Sequence, residues 1–206
     1  MNDYLANLFL ALGIFSVGFV SIGPNILAII GTSMERGRSH GVSLALGVGT
    51  GSGIWASLTV MGLTALVTAY AGAITLLKIF GAIYLLWLAY KAFKSAATPK
   101  VKTLTTAAKG NNLYLQGLVI QMTNPKAALH WVAIVGIGLG ADAPLWAGVT
   151  LVISTTFLSI LGHLAYALTF STQPVVAFYL RARRWIDGFL GVFFSYAAFK
   201  LATFRN

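Results

Sequence analysis

The chain has 206 residues, of which 58% are hydrophobic and only 9% are charged. Soluble domains typically carry about 25% charged residues, and the mean hydropathy is +0.83, so the composition excludes a water-soluble globular protein and predicts an integral membrane protein. The net charge of +10 is typical of a membrane protein whose cytoplasmic loops collect Lys and Arg. No basic stripe with interleaved aromatics indicates nucleic-acid binding, and the absence of cysteine excludes disulfides and thiolate chemistry.

Six apolar segments follow one another along the chain, and a membrane-crossing helix needs about 20 mostly apolar residues. The first segment lacks a preceding basic region and is longer than the apolar core of a signal peptide, so we expect a true span there. We predict an all-α integral membrane protein with six transmembrane helices, at about 4–34, 41–69, 73–93, 113–139, 145–170 and 185–204.

Basic residues are concentrated in three segments between these helices. Arg36 and Arg38 follow the first helix, five Lys lie in the polar stretch 91–112, and three Arg lie at 181–184, whereas the turns near Gly72 and Asp142 carry no Lys or Arg. The positive-inside rule places the three basic segments in the cytoplasm and both termini outside. The longest loop, at about 94–112, is then the central cytoplasmic loop.

The two halves of the sequence share a pattern. The first apolar segment contains Gly23-Pro24-Asn25, and the fourth contains Asn124-Pro125-Lys126. Proline lacks an N–H and clashes with the preceding turn, so each motif predicts a break in a helix. Three helices per half require the second half to be inserted upside down, which is a recurring transporter plan. We therefore expect a single transmembrane domain, 1–206, of two inverted repeats at about 1–93 and 113–206.

The two proline motifs are the first candidate functional sites. A broken helix exposes backbone groups inside a membrane, where Asn25, Asn124, water, another helix or a substrate must satisfy them. Lys126 places an ammonium near bilayer depth, which costs at least about 2.5 kcal/mol at the centre of an isolated helix. Lys126 is therefore a candidate ligand for a carboxylate. The alternatives are a packing kink at each proline and a lysine that reaches the interface.

Polar residues beside the second motif extend this candidate set. Gln121 and Pro125 are an i, i+4 pair, and His130 follows one turn or so after the break. His130 and His163 could titrate near physiological pH, or each could be a hydrogen-bonded interior histidine. Two histidines without nearby acids do not predict a metal site.

Two further features concern contacts between helices. Lys78 and Asp187 lie at comparable places in the third and sixth predicted helices, so they form either an inter-repeat pair or two independent interfacial charges. Gly47 and Gly51 form a G-x-x-x-G motif, which permits close helix approach and a homodimer.

Catalytic signatures are missing from the sequence. It shows no Ser–His–acid set, no carboxylate pair and no phosphate-binding glycine loop. We therefore expect neither an enzyme nor a cofactor, and any transport would be driven by an ion gradient or by the substrate gradient.

Taken together, these residues resemble the LysE/RhtB family of bacterial amino-acid exporters over essentially the whole chain. The matching positions in the first half are Gly23-Pro24-Asn25, Gly37-Arg38-Ser39-His40-Gly41, Ala45-Leu46-Gly47, Gly51 and Gly62-Leu63. Those in the second half are Tyr114-Leu115-Gln116-Gly117 and Asn124-Pro125-Lys126-Ala127.

The resemblance implies a multi-pass exporter in the bacterial cytoplasmic membrane, driven by the proton gradient, with Pro24, Asn25, Asn124, Pro125 and Lys126 as functional positions. Members of this family export basic or neutral amino acids, homoserine and its lactone, and some relatives export metal ions. The family often has an acid where this chain has Ser52, Asn where it has Gln121, and two aromatics at His130-Trp131. The missing acid favours a neutral amino acid.

Two alternatives remain open from the sequence. A metal-ion exporter would need soft or acidic ligands within the membrane, and this chain has no Cys and four Asp plus Glu. A non-transporting membrane protein, such as an assembly factor, is the second alternative.

Overall fold

In a computed structural model, the described residues are 2–19, 22–69, 73–98, 107–108, 110–139 and 143–203. Side chains at 2–3, 63–69, 73–75, 77–78, 137–138, 173 and 176 lie outside this description. The predicted turns at 70–72 and around Asp142, and most of the central loop, also fall outside it.

The described part of the chain consists of eight helices and contains no strand. They are α1 (Asn2–Gly18), α2 (Pro24–Arg36), α3 (Arg38–Ala69), α4 (Ala73–Ala97), α5 (Leu113–Met122), α6 (Pro125–Gly138), α7 (Leu145–Thr169) and α8 (Gln173–Thr203). Among the described residues, three helical segments are long and apolar enough to cross a membrane: Arg38–Gly62, Leu145–Thr169 and Ala177–Thr203. The predicted all-helical membrane class is confirmed, and the count of six spans stays a prediction.

A new helix begins at each of the two prolines. Pro24 is the first residue of α2 and Pro125 is the first residue of α6. This position suits proline because the first amide of a helix has no intrahelical partner. Asn124 caps α6, because its side chain accepts a hydrogen bond from the Lys126 N–H at 3.0 Å. Gly23 precedes α2 in an extended conformation and supplies no side-chain cap.

Helix α3 packs closely against α5 on one face and against α7 on another. A Cβ atom at Gly47 would overlap the Tyr114 carbonyl group of α5, and one at Gly51 would lie 2.9 Å from the Gln121 Cβ. A Cβ atom at Gly49 would lie 2.9 Å from Ile160 of α7. Glycines let helix backbones approach in this way, so α3 holds α5 and α7 at short distances.

Helices α4 and α8 form an antiparallel pair. Phe93 packs against Gly191, and Leu201 packs against Gly81. Near the end of α4, the buried carboxylate of Asp187 accepts a hydrogen bond of 2.7 Å from the Ser95 hydroxyl.

The basic segment 181–184 is helical, which corrects the predicted loop there and the predicted start of the last helix near 185. Arginine is a good helix former, and no Gly or Pro lies between Pro174 and Asp187. Arg183 and Arg184 donate hydrogen bonds to backbone carbonyls at the end of α4, at Thr98 and Ala96. Cationic side chains stabilise the carbonyl end of a helix in this way.

The geometry does not support the expected pair of Lys78 and Asp187. Asp187 bonds to Ser95, whereas Lys78 lies 17 residues before Ser95 on the same helix, or about 25 Å along its axis. The side chain of Lys78 lies outside the described residues, but this backbone separation exceeds the reach of a lysine.

Two arginines connect helix junctions that are distant in sequence. The Arg36 guanidinium donates to the carbonyls of Ala108 and Gly110 at 3.1 and 2.9 Å. Arg38 donates to the Ser171 hydroxyl at 2.7 Å. The junction of α2 and α3 therefore contacts both the segment before α5 and the connection between α7 and α8.

We expect Gly47→Ala to lower the melting temperature of the purified protein, because the added methyl group would collide with backbone in α5. Overpacking of this kind costs about 1–3 kcal/mol. Gly62→Ala on the same helix is the matched control, because a Cβ there meets no heavy atom within 4 Å. Thermal unfolding in detergent measures both variants, and equal melting temperatures would contradict the close α3–α5 contact.

Candidate functional site

A cavity lies where α1 and α5 end and where α2 and α6 begin. Its volume is about 60 Å³, and one water needs about 10–15 Å³ on the same measure, so it has room for about four to six water-sized groups. Each of the eight described helices contributes to its wall. The polar residues that line it are Asn25, Ser52, Gln121, Asn124, Lys126, His130 and His163.

The rest of the wall is apolar and largely aromatic. It includes Phe15, Phe19, Ile26, Leu88, Trp131 and Phe194. Phe15 and Trp131 are in ring contact at 5.3 Å, and Trp131 is 1% exposed. A mainly apolar wall with a few convergent polar groups is typical of a small-molecule site.

A hydrogen-bonded group of side chains joins α2, α3 and α5 in this wall. The Asn25 Nδ2 donates to the Gln121 Oε1 at 3.0 Å. The indole N–H of Trp55 donates to the Gln121 backbone carbonyl at 3.2 Å. Gln121 is buried, so these contacts hold its amide at a defined place beside Asn25.

His163 extends this group to α7. Its Nδ1 lies 2.8 Å from the Ser159 backbone carbonyl oxygen, which can only accept a hydrogen bond, so Nδ1 carries a hydrogen. The Nε2 of the neutral ring is then an acceptor, and it lies 3.5 Å from the Asn25 Nδ2. The ring also packs edge-on against Phe19, with centroids 5.0 Å apart.

Lys126 lies in the first turn of α6, next to the start of α2. A Cβ atom at Gly23 would lie 3.5 Å from the Lys126 Nζ. The Lys126 carbonyl accepts a hydrogen bond of 2.8 Å from the Tyr84 hydroxyl of α4. The ammonium therefore adds its charge to the positive ends of two helix dipoles.

His130 fills the space beside the end of α1. A Cβ atom at Gly18 would lie 2.6 Å from the His130 Nε2, so glycine at this position leaves room for the imidazole. The buried His130 Nδ1 has no hydrogen-bond partner among the residues that the structure describes. A buried polar atom of this kind calls for a partner, such as water or a ligand.

The structure brings five of the predicted site residues to one cavity: Asn25, Gln121, Asn124, Lys126 and His130. Pro24 and Pro125 position them by starting α2 and α6, whereas Asp187 lies away from the cavity near the end of α4. Their roles in binding stay predictions.

Sequence reasoning did not assign His163 to this site. One signal could have indicated it, because Thr155, Ser159 and His163 recur every four residues on α7 and all three are buried. This spacing places polar groups on one face of an otherwise apolar helix. In the ranges that the structure describes, no group of three or more His, Asp or Glu is placed to hold a metal ion.

Comparison with known proteins identifies relatives along nearly the whole chain. The family profile described as LysE type translocator matches residues 16–204. The uncharacterized membrane protein YahN of Escherichia coli K12 is 30% identical over 197 residues, which cover 93% of this chain and 88% of the relative.

Two further relatives carry functional names. The threonine efflux protein of Escherichia coli K12 is 28% identical over 187 residues, or 87% of this chain and 89% of that protein. The leucine efflux protein of Salmonella choleraesuis is 27% identical over 189 residues, with 89% of each chain covered. No solved structure matches this chain.

We expect Asn124→Ala to destabilise the start of α6 by about 1 kcal/mol, because it removes the side-chain cap on the Lys126 N–H. Asn124→Ser is the control, because serine caps helices about as well as asparagine. The melting temperatures of the two purified variants test this, and an unchanged value for Asn124→Ala would show that the cap is unimportant.

Proposed function

The chain belongs to the LysE type translocator family, and we propose that it exports neutral amino acids or close derivatives across the bacterial cytoplasmic membrane, coupled to protons. Family membership and the named relatives support a membrane transporter for amino acids rather than an enzyme. The observation that carries the proposal is the Lys126 ammonium beside the starts of two helices in a small, mostly apolar cavity.

The carboxylate of the substrate binds at Lys126. The amino ends of α2 and α6 carry partial positive charge and amides without intrahelical partners, and such ends bind anions. Gly23 gives α2 no side-chain cap, which leaves the first amides of that helix available to an anion. The cost of an ammonium inside a membrane is offset when it binds a carboxylate.

The amino group of the substrate lies toward the ends of α1 and α5. Both helices end at the cavity, at Gly18 and Met122, and a helix carboxyl end carries partial negative charge. Discontinuous helices that offer opposite ends to one site are a recurring feature of secondary transporters. A zwitterion therefore fits the four helix ends.

The side chain of the substrate is neutral. The cavity wall contains Ser52 and several aromatic rings, and no Asp or Glu is among the described residues that line it. A cationic side chain would meet Lys126 without a compensating acid. Threonine and leucine, which name two relatives, are both neutral amino acids.

Export proceeds by alternating access between two inverted repeats, 1–93 and 113–206, joined by the central loop at 94–112. The starts of α2 and α6 at Pro24 and Pro125 support this plan, because each proline stands at the corresponding interruption of its half. Both halves contribute to one cavity, as expected for a site at a repeat interface. The basic segments then face the cytoplasm, and the chain works alone or as a homodimer.

A metal-ion exporter is the less favoured candidate. Transition metals prefer thiolate, imidazole and carboxylate ligands, and the cavity offers two imidazoles beside an ammonium.

Lys126→Met should reduce efflux of the exported amino acid by at least about tenfold, because the carboxylate loses its cationic partner and a charge-assisted hydrogen bond is worth about 1.5–3 kcal/mol. The measurement is efflux from preloaded proteoliposomes, normalised to inserted protein. Lys200→Met is the matched control, because Lys200 is exposed and is not among the residues that line the cavity. Full efflux by Lys126→Met would remove Lys126 from the proposed mechanism.

Wild-type proteoliposomes should export threonine or leucine at least about fivefold faster than lysine, since a second ammonium about 4 Å from that of Lys126 costs about 1–4 kcal/mol. A proton uncoupler should abolish the gradient-driven part of this efflux. Equal export of lysine would contradict a neutral substrate, and efflux insensitive to the uncoupler would contradict proton coupling.

A further inference from the structure

The hydrogen-bond directions around His163 are fixed by the groups that it contacts. The Ser159 carbonyl oxygen lies 2.8 Å from Nδ1 and can only accept, so Nδ1 donates. The other ring nitrogen, Nε2, carries a lone pair in the neutral ring and faces the Asn25 Nδ2 at 3.5 Å. The same Nδ2 donates to the Gln121 Oε1 at 3.0 Å, so the neutral ring is compatible with every contact.

A proton on the His163 Nε2 would reverse one of these directions. The imidazolium donates from both nitrogens, so its Nε2–H would face the N–H donors of Asn25. Turning the Asn25 amide would present Oδ1 to the ring and relieve that conflict. The turned amide would then present Oδ1 to the Gln121 Oε1, and two acceptors cannot form a hydrogen bond. Protonation of His163 therefore excludes the hydrogen bond from the Asn25 Nδ2 to the Gln121 Oε1, and the two side chains can bond again only if the Gln121 amide also turns and donates from its own nitrogen.

We propose that His163 is the proton-binding site of this transporter, and that its protonation breaks the hydrogen bond that the Asn25 Nδ2 of α2 donates to the Gln121 Oε1 of α5. This hydrogen bond joins α2, which starts at Pro24, to α5, which ends at Met122 just before the second interruption. Its loss removes one polar contact between the two halves of the chain within the cavity wall. This inference rests on the proposed function as a proton-coupled exporter and assigns the coupling to one imidazole.

The other titratable groups around the cavity are less well placed than His163 to change the hydrogen bond between Asn25 and Gln121. The described titratable or charged groups that face it are Lys126 and His130 of α6, and one turn beyond His163 on α7 lies Tyr166, which donates to the Phe19 carbonyl at 2.6 Å. The lining residues of α1, α2, α3, α4, α5 and α8 are aromatic, aliphatic, glycine, amide or hydroxyl side chains. Among the described residues, His163 is the titratable group that lies against the Asn25–Gln121 pair.

The first arm of the test observes the proton directly and needs no substrate. The sequence contains three histidines, so imidazole-labelled protein in detergent should give three sets of NMR signals, and His163→Gln assigns one of them by its loss. We expect the His163 signal to titrate reversibly, and the Asn25 side-chain amide signals to shift with the same midpoint. A His163 imidazole that stays neutral over the pH range of transport would overturn the proposal.

The second arm separates coupling from binding in proteoliposomes. Glutamine can accept a hydrogen bond from Asn25 but cannot take up a proton, so His163→Gln should lower the ratio of proton-driven efflux to substrate exchange by at least tenfold. His40→Gln is the control, because His40 is exposed at the start of α3 and should leave the ratio unchanged. An unchanged ratio in His163→Gln, or an equal loss of driven efflux and exchange, would overturn the proposal.

The two arms also distinguish this inference from the proposed function. If the wild-type protein moves no amino acid, the export function fails, while the NMR titration still decides whether His163 binds a proton that changes the hydrogen bonding of Asn25. If the wild-type protein exports an amino acid and His163→Gln remains fully proton-driven, export stands and the assignment to His163 fails.

Discussion

A helix that is interrupted inside a membrane leaves amides and carbonyls that water cannot reach, and each must find another partner. In this protein the partners are the side chain of a helix cap and side chains from other helices. Asn124 binds the Lys126 N–H, and Tyr84 binds the Lys126 carbonyl. Tyr166 binds the carbonyl of Phe19 just after α1 ends. The same contacts that satisfy the backbone also hold α4 and α7 against the interruptions, so the wall of the cavity is a consequence of this requirement.

Close helix packing determines which side chains can meet at the cavity. Gly51 allows the Gln121 Cβ of α5 to approach the α3 backbone, and Gly49 allows α7 to approach on the neighbouring face. Because α5 and α7 are both held near α3, Gln121 and His163 can reach Asn25 from two sides. Larger residues at the glycine positions would separate these helices by more than a hydrogen bond tolerates. Packing and site chemistry therefore depend on the same small residues.

Sequence reasoning predicted the features that depend on local covalent geometry. Pro24 and Pro125 begin new helices because proline constrains its own backbone and the preceding turn, and the polar residues beside them line one cavity. Features that depend on distant contacts were missed. A charge pattern indicates the side of the membrane on which a segment lies, but not whether that segment is helical, so 181–184 was predicted as a loop. Asp187 binds Ser95 rather than Lys78 because α4 and α8 run antiparallel.

The chemistry of the cavity follows from which charges it contains and which it omits. The one ammonium, on Lys126, adjoins two helix starts, where its positive charge suits an anion rather than a proton carrier. The described lining residues include Ser52 and no carboxylate. Under the proposed proton coupling, the imidazoles are therefore the groups in this wall that can take up a proton. Of the two imidazoles, His163 has a fixed donor on one nitrogen and an acceptor directed at Asn25 on the other, so its protonation must alter the contact between α2 and α5.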